Sequence, residues 1–336
     1  MNDAGSLSMT NVRRAQERLG PYIIRTPTLK ASSGFFTEFL PRSTVFLKYE
    51  LFQVSGTFKA RGVLNNLLAT DGNHKGVTAA SAGNHAIAVA VGAKLLGLDA
   101  KVVMQSSANP ARIAAARDAG AEIVIAADGK EAFARAHDIA EKEGRLFVHP
   151  FDGFRVAEAT AGVALEMIED SGGLDAIVVS IGGGGLAGGV SAGAKLLNPN
   201  CRVIGVEPEG AAAMAESFRT GAPATLAKID TIADSLAPPM TTQTTYALCR
   251  RHIDRLVTVS DDQMAAACHL LFRDAKVSAE PACGAATAAA IAKCADELAG
   301  MKVGVILCGS NIDIDNFAAL VRRGEGALVR GVLSGD

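Results

Sequence analysis

The chain has 336 residues, of which 49% are hydrophobic, and a formal net charge of −2. Its length allows two domains or one large α/β unit, and the near-neutral charge argues against binding to nucleic acid or an anionic membrane through bulk electrostatics. The sequence has no recognisable signal peptide or membrane span, and its six cysteines and six histidines lack zinc-site spacing, so we expect a cytoplasmic protein with free thiols.

Short apolar segments alternate with alanine-rich ones along the chain. The strands are predicted at 45–48, 76–80, 101–104, 122–125, 146–148, 176–181, 202–206, 256–259 and 303–307. The helices are predicted at 55–68 with Ser55 as N-cap, 86–96, 111–119, 130–143, 156–170, 186–197, 261–274 and 284–298. Continuous apolar strands between helices predict a mostly parallel sheet covered on both faces. We expect 222–245 to be an extended surface segment and the tail after Arg323 to be loose.

The segment 76–148 is self-contained, with four predicted strands and three crossover helices. This pattern predicts a small domain inserted in a larger one. We therefore expect a large domain made of 1–70 and 151–336 and a small inserted α/β domain made of 71–150.

Four loops of polar or small residues each follow a predicted strand. They are 81–85, 182–185, 207–210 and 308–311. Because ligands in open α/β sheets bind outside the carboxyl ends of the strands, these loops predict an enzyme site.

Four consecutive glycines, Gly182 to Gly185, stand between a strand and a helix. Such a loop offers bare N–H groups and a helix N-terminus to a phosphate. The run lacks the Gly-Lys-Ser/Thr ending of a nucleotide P-loop. A dinucleotide site has an acidic residue at the end of the next strand, and Glu207 stands there, so a phosphate- or dinucleotide-binding module remains an alternative. A lysine near such a cradle, here Lys59, can hold a phosphorylated aldehyde as a Schiff base, which favours pyridoxal phosphate.

Four motifs in order carry a family resemblance. They are Ser55-x-x-Phe58-Lys59-x-Arg61-Gly62, Ser81-Ala-Gly-Asn-His85, the tetraglycine loop and Cys308-Gly-Ser-Asn311. The chain resembles the threonine/serine dehydratase and serine racemase family of fold-type-II pyridoxal-phosphate enzymes over nearly its whole length. The resemblance implies an α/β, tryptophan synthase β-like fold, in which two open twisted sheets hold the cofactor between domains.

The resemblance also assigns roles to individual residues. Lys59 corresponds to the catalytic Schiff-base lysine. The cofactor-binding residues are Phe58 beside the ring, Asn84 at its 3′-oxygen, Cys308 at its pyridine nitrogen, and Gly182, Gly183, Gly184, Gly185 and Leu186 at its phosphate. The loop of Ser81, Ala82, Gly83, Asn84 and His85 corresponds to the one that holds the substrate carboxylate.

The activity implied is β-elimination from a β-hydroxy amino acid, giving a 2-oxo acid and ammonia. L-Threonine or L-serine is the first expectation, and 3-hydroxyaspartate or phenylserine is the runner-up. Racemases of this family carry a second acid/base serine where this chain has Ala82, which favours dehydration. Serine racemase and a β-replacement synthase remain alternatives, although the synthases typically have threonine and Gly-Asn-Thr-Gly in that loop.

Two further expectations concern a metal ion and assembly. Glu207 and Ala211 match the first two ligands of the metal-dependent members, while Ala213 stands where those members have an aspartate. A divalent cation at Glu207 is therefore an open prediction. We expect a small amino-acid substrate and a homodimer.

Overall fold

The computed structural model of the protein describes residues 7–31, 34–70 and 72–334. In them, strands form one sheet of six and one of four. The strands are β1 (Thr28–Lys30), β2 (Thr44–Lys48), β3 (Val77–Ala80), β4 (Ala100–Gln105), β5 (Glu122–Ala126), β6 (Leu146–Phe147), β7 (Ala176–Ser180), β8 (Arg202–Pro208), β9 (Arg255–Val259) and β10 (Lys302–Ile306).

In the described residues, the thirteen α-helices include the eight predicted ones and five that were not predicted. They are α1 (Met9–Leu19), α2 (Phe35–Phe39), α3 (Lys59–Leu68), α4 (Asn84–Leu95), α5 (Pro110–Asp118), α6 (Gly129–Glu143), α7 (Phe154–Ser171), α8 (Gly185–Leu197), α9 (Ala213–Thr220), α10 (Gln243–His252), α11 (Asp261–Leu270), α12 (Pro281–Ala288) and α13 (Ile314–Val329). Short 3₁₀ turns lie at Glu50–Phe52, Glu209–Ala211 and Asp234–Leu236, and π-helical turns lie at Leu271–Ala275 and Ala289–Lys293.

The six-stranded sheet has the order β1-β2-β10-β7-β8-β9. Only the edge pair β1–β2 is antiparallel. Strand β7 is buried along its full length, as expected for a central strand covered by helices on both faces. The largest hydrophobic core packs against this sheet.

The four-stranded sheet has the order β5-β4-β3-β6, and its strands are parallel. All of them fall between Val77 and Phe147, and a separate hydrophobic core packs against them. The division into domains at 70/71 and 150/151 stays a proposal, and this grouping of the strands supports it. Residues 1, 71 and 336, at the ends of the proposed segments, lie outside the described residues.

The nine predicted strands are confirmed, each within two residues of its expected ends, and the short edge strand β1 was not predicted. Predictions about three other segments need correction. Helix α3 begins at Lys59 and not after a cap at Ser55, because the backbone before it bonds to another loop: Phe58 N–H donates to Cys308 C=O, and Ser310 N–H to Gly56 C=O. The segment 222–245 is irregular and largely open to solvent up to Thr242, apart from one 3₁₀ turn, but its last three residues belong to helix α10, which begins at Gln243.

The tail is the third correction, since α13 continues to Val329. The glycine in this helix reflects close packing and not looseness. A Cβ built on Gly324 would lie 2.1 Å from the carbonyl oxygen of Ala265 on α11, so only glycine lets the two helices approach this closely. The π-helical turns also end the regular α-helix earlier than expected in both predicted helices, 261–274 and 284–298.

Candidate active site

A cavity of about 900 Å³ lies where the carboxyl ends of strands from both sheets face each other. Three of the predicted loops line it: 81–85, 182–185, and the loop 308–311 through Cys308. Every residue predicted to bind cofactor or substrate lines this cavity: Phe58, Lys59, Ser81, Ala82, Gly83, Asn84, His85, Gly182, Gly183, Gly184, Gly185, Leu186 and Cys308. The loop at 207–210 does not line it in the described part of the chain.

Lys59 stands at the first position of α3, with its amine inside the cavity. Its Nζ donates to the carbonyl oxygen of Pro150 at 2.5 Å and lies 5.2 Å from the centre of the Phe58 ring. Burial lowers the pKa of Lys59 to about 8, although Cys308 and Glu280 act in the opposite direction. A lysine that loses its proton this readily is suited to act as a nucleophile or a base.

The tetraglycine loop closes tightly against its neighbours before α8. A Cβ on Gly183 would lie 2.4 Å from the ring of Phe151, and one on Gly185 would lie 2.6 Å from the carbonyl oxygen of Phe151. Gly184 has φ +90° and ends its turn at the N-terminus of α8. The first N–H groups of a helix have no partner within it, so this loop fits a phosphate group.

Cys308 follows β10 and is buried at 3% exposure. Contact with the Cys283 thiol, followed by burial, raises the pKa of Cys308 well above its usual range. The thiol is therefore uncharged at neutral pH. A neutral thiol is the partner expected for a pyridine nitrogen that is not held in its protonated form.

His85 is neutral and fixed in orientation. Its Nε2 lies 2.8 Å from the carbonyl oxygen of Val148, so Nε2 carries the proton and donates. Burial, and next the charge of Lys59, lower the pKa of His85 to about 3. Its Nδ1 is buried with no partner among the described residues, so this nitrogen is an available acceptor, and His85 is not a general acid at neutral pH.

Sequence reasoning did not assign several residues that line the cavity. They include Arg112, His149, Phe151 and Asp234. The segment from Glu280 to Ala285 resembles a segment of serine dehydratases near the same pocket, and the structure places Glu280 in the cavity lining, although no role was predicted for it. Arg112 lies within α5 and has no motif around it, so only its contacts reveal it.

A buried ion cluster lies beneath the lysine helix, outside the cavity lining. Arg61 on α3 donates to both oxygens of Glu50, at 2.8 Å each, and to both of Glu166, at 2.7 and 2.8 Å. Lys48 also donates to Glu166 at 2.7 Å. Two positive and two negative side chains therefore balance one another, which gives Arg61 a structural role two residues from Lys59.

Glu207 lies in β8, outside the cavity lining, and its buried carboxylate contacts the start of α9. One of its carboxylate oxygens accepts the N–H of Met214 and the other that of Ala215, both at 2.7 Å. Burial raises the pKa of Glu207 to about 7, opposed by these two bonds. Across the described ranges, His, Cys, Asp and Glu form no group of three suited to a metal ion, so the metal role of Glu207 stays a prediction.

The chain is similar to several known proteins. Residues 19–309 match the sequence model of the pyridoxal-phosphate dependent enzyme family. The chain is 52% identical to a phenylserine dehydratase of Ralstonia pickettii, over 90% of this chain and 92% of that one. It is 35% identical to the catabolic L-threonine dehydratase of Escherichia coli strain K12, over 94% and 96%. The solved structure of maize serine racemase superposes with a TM-score of 0.87 at 30% identity, covering 98% of this chain and 99% of that one.

The chain therefore belongs to the family of pyridoxal-phosphate dependent enzymes and has their fold-type-II architecture. Within that family it is an ammonia-lyase that acts by β-elimination on a hydroxy amino acid. The predicted family, fold class and pyridoxal 5′-phosphate cofactor are confirmed. In the part of the chain that the structure describes, no helix is long and apolar enough to cross a membrane.

Proposed function

We propose that the preferred substrate is a β-hydroxy amino acid with an aromatic β-substituent, of the phenylserine type. The observation that carries this is the set of apolar side chains in the cavity lining. Phe133 on α6 and the segment Leu236 to Met240, which includes two prolines, contribute to it. Burying a phenyl group against such side chains is favourable, whereas the methyl group of threonine buries much less area.

The relatives support the same choice and change the order of the first expectations. The phenylserine dehydratase is matched at 52% identity and the threonine dehydratase at 35%. L-Threonine and L-serine, expected first from the motifs, therefore become weaker substrates in this proposal, and phenylserine moves from runner-up to first.

The reaction removes the proton from Cα and expels the β-hydroxyl as water. When bound, pyridoxal phosphate withdraws electrons from the substrate's Cα and acidifies its C–H bond. The resulting enamine tautomerises and hydrolyses, so phenylserine gives phenylpyruvate and ammonia.

In this proposal, residues of the chain supply the base and hold the cofactor. The amine of Lys59 takes the Cα proton, which its lowered pKa supports. The glycine loop, with Leu186, binds the phosphate, and the neutral thiol of Cys308 faces the ring nitrogen. Phe58, whose ring lies 5.2 Å from Nζ of Lys59, packs beside the cofactor ring.

The loop 81–85 holds the substrate carboxylate in this proposal. Helix α4 begins at Asn84, so N–H groups of its first turn lie at the cavity. Gly83 N–H donates to Ser81 Oγ at 3.2 Å and stabilises the loop. Ala82 has no side-chain proton donor at the position where racemases of this family carry a serine, which favours elimination over racemisation.

Assembly and location remain proposals. We infer a homodimer, supported by apolar side chains exposed on α13, such as Ile314 at 82% and Val329 at 86% exposure. A cytoplasmic location is supported by the six cysteines, which are all free and buried.

The test compares kcat/KM for L-phenylserine, L-threonine, L-serine and 3-hydroxyaspartate with the purified holoenzyme. We expect phenylserine to exceed threonine by about tenfold or more, since a buried phenyl group gains at least ~1.4 kcal/mol. A control without enzyme corrects for spontaneous breakdown. A higher kcat/KM for threonine than for phenylserine would refute the aromatic preference while leaving the ammonia-lyase activity intact.

A further inference from the structure

Glu280 is a buried carboxylate with no role in the reaction described so far. It immediately precedes α12, lines the cavity and is 1% exposed. Its two oxygens lie 2.7 and 3.0 Å from Nδ2 of Asn84, which is 196 positions away in the chain. A buried carboxylate is costly unless donors surround it, so these contacts keep it at the cavity.

The opposite end of the Asn84 amide is fixed by Asn311. Nδ2 of Asn311 donates to Oδ1 of Asn84 at 2.8 Å and to the carbonyl oxygen of Ser55 at 2.9 Å. Both N–H groups of Asn311 are therefore used, and only the oxygen of Asn84 can face it. A Cβ on Gly56 would lie 2.4 Å from Oδ1 of Asn311, so the glycine of the lysine motif makes room for this arrangement.

These contacts determine what Asn84 can offer to a ligand. One N–H aimed between the carboxylate oxygens satisfies both contacts with Glu280, and the second N–H stays available. Rotating the amide by half a turn would set its NH₂ against the NH₂ of Asn311 and its oxygen against the carboxylate. Glu280 and Asn311 together therefore hold Asn84 as a donor.

Arg112 also lies beside Glu280. It belongs to α5, beside the four-stranded sheet, and its Nη2 lies 3.6 Å from the Glu280 carboxylate. Its guanidinium also donates to both oxygens of Asp234, at 2.5 and 3.1 Å, and its Nε donates to the carbonyl oxygen of Asn311 at 3.2 Å. A Cβ on Gly309 would lie 2.2 Å from the carboxylate, so glycine is needed there as well.

Several titratable groups surround this carboxyl. They are Lys59 on α3, Arg112 on α5, Asp234 in the 3₁₀ turn, Cys268 on α11 and Cys308 after β10. Burial raises the pKa of Glu280 to about 7, and the charge of Arg112 opposes this effect. The carboxyl is thus sensitive to both neighbouring cations.

We propose that Glu280 is a positioning residue for pyridoxal phosphate, acting through Asn84. Its carboxylate keeps one N–H of Asn84 directed at the bound cofactor, and Arg112 keeps the carboxylate in place. The inference concerns the resting holoenzyme and does not depend on which amino acid is the substrate.

The test uses Glu280→Gln and Glu280→Ala, with Glu216→Gln as a matched control at an exposed ion pair with Arg219. The dissociation constant of pyridoxal phosphate is measured by titrating the apoprotein, and the visible absorption band is recorded without substrate. Glutamine offers one oxygen to two donors, so we expect about threefold weaker binding and an altered band. Alanine removes both acceptors, and we expect about tenfold weaker binding, corresponding to one charge-assisted hydrogen bond.

Thermal midpoints of the apoproteins separate positioning from folding. A lowered midpoint with unchanged cofactor affinity and absorption band in Glu280→Gln would mean a structural role only and would overturn the proposal. Glutamine has the size of glutamate, so this variant decides the question even where the alanine variant does not fold. Equal changes in Glu216→Gln would also overturn it.

Discussion

Replacing Gly184 by alanine tests whether the glycine loop holds the cofactor's phosphate. Gly184 has φ +90°, and a Cβ there would lie 2.8 Å from Cβ of Thr245 and 2.9 Å from Cε of Met214. The left-handed backbone costs a residue with a side chain about 1–2 kcal/mol, and overpacking adds roughly 1–3 kcal/mol. The loop relieves this strain by shifting, which moves its N–H groups away from the phosphate.

We expect the dissociation constant of pyridoxal phosphate to rise about tenfold to a hundredfold. This range corresponds to a loss of ~1.4–2.8 kcal/mol of binding free energy when the loop shifts to relieve its strain. Equilibrium titration of the apoprotein, followed by visible absorbance, measures it. Gly221→Ala is the matched control, because Gly221 has φ +79° but open space where the Cβ would be. This control carries backbone strain of the same kind outside the cavity, so it lowers stability without weakening cofactor binding.

Two outcomes would refute the reasoning. Wild-type affinity in Gly184→Ala would mean that the phosphate binds to another loop. Equal loss of affinity in both variants would mean that general destabilisation, and not the geometry of this loop, controls cofactor binding.

The remaining predictions concern catalysis, stability and pH. Lys59→Ala abolishes product formation even with saturating cofactor, because the base is lost; circular dichroism checks that the fold is retained. Ala82→Ser introduces measurable racemisation, well below elimination, which chiral chromatography of residual serine detects; abundant D-serine from the unmodified enzyme would contradict this. Glu166→Gln lowers the free energy of unfolding by about 3–5 kcal/mol in urea titrations, whereas Glu169→Gln at the surface costs about 1 kcal/mol or less. The pKa of His85 is lowered from 6.5 to about 3 in the folded protein, so His85 binds a proton more readily in the unfolded state. Its contribution to stability is therefore lost as the pH falls from 6.5 towards 3. We expect the free energy of unfolding of His85→Asn to fall less steeply over that pH range than that of the unmodified protein.

Local pattern was enough to predict nine of the ten strands in the described residues, and the loops that follow several of them. It missed the three-residue edge strand β1. Continuous apolar runs such as 176–179 form the buried parallel strands, because burial on both faces favours apolar residues at successive positions. Parallel strands bring their carboxyl ends to one edge, which explains why loops as distant as 81–85 and Cys308 could be assigned to one site.

Tertiary contacts decided what local pattern could not. The start of α3 at Lys59 depends on hydrogen bonds between Phe58 and Cys308, which no propensity near Ser55 reveals. The bond between Asn84 and Glu280 joins residues 196 positions apart. Hydrophobic periodicity records only which side of a segment is buried, whereas a pairing between two buried polar groups depends on how separate helices and loops pack together. The sequence thus determined the edge of the sheets at which the site forms, and only packing determined which charged side chains meet there.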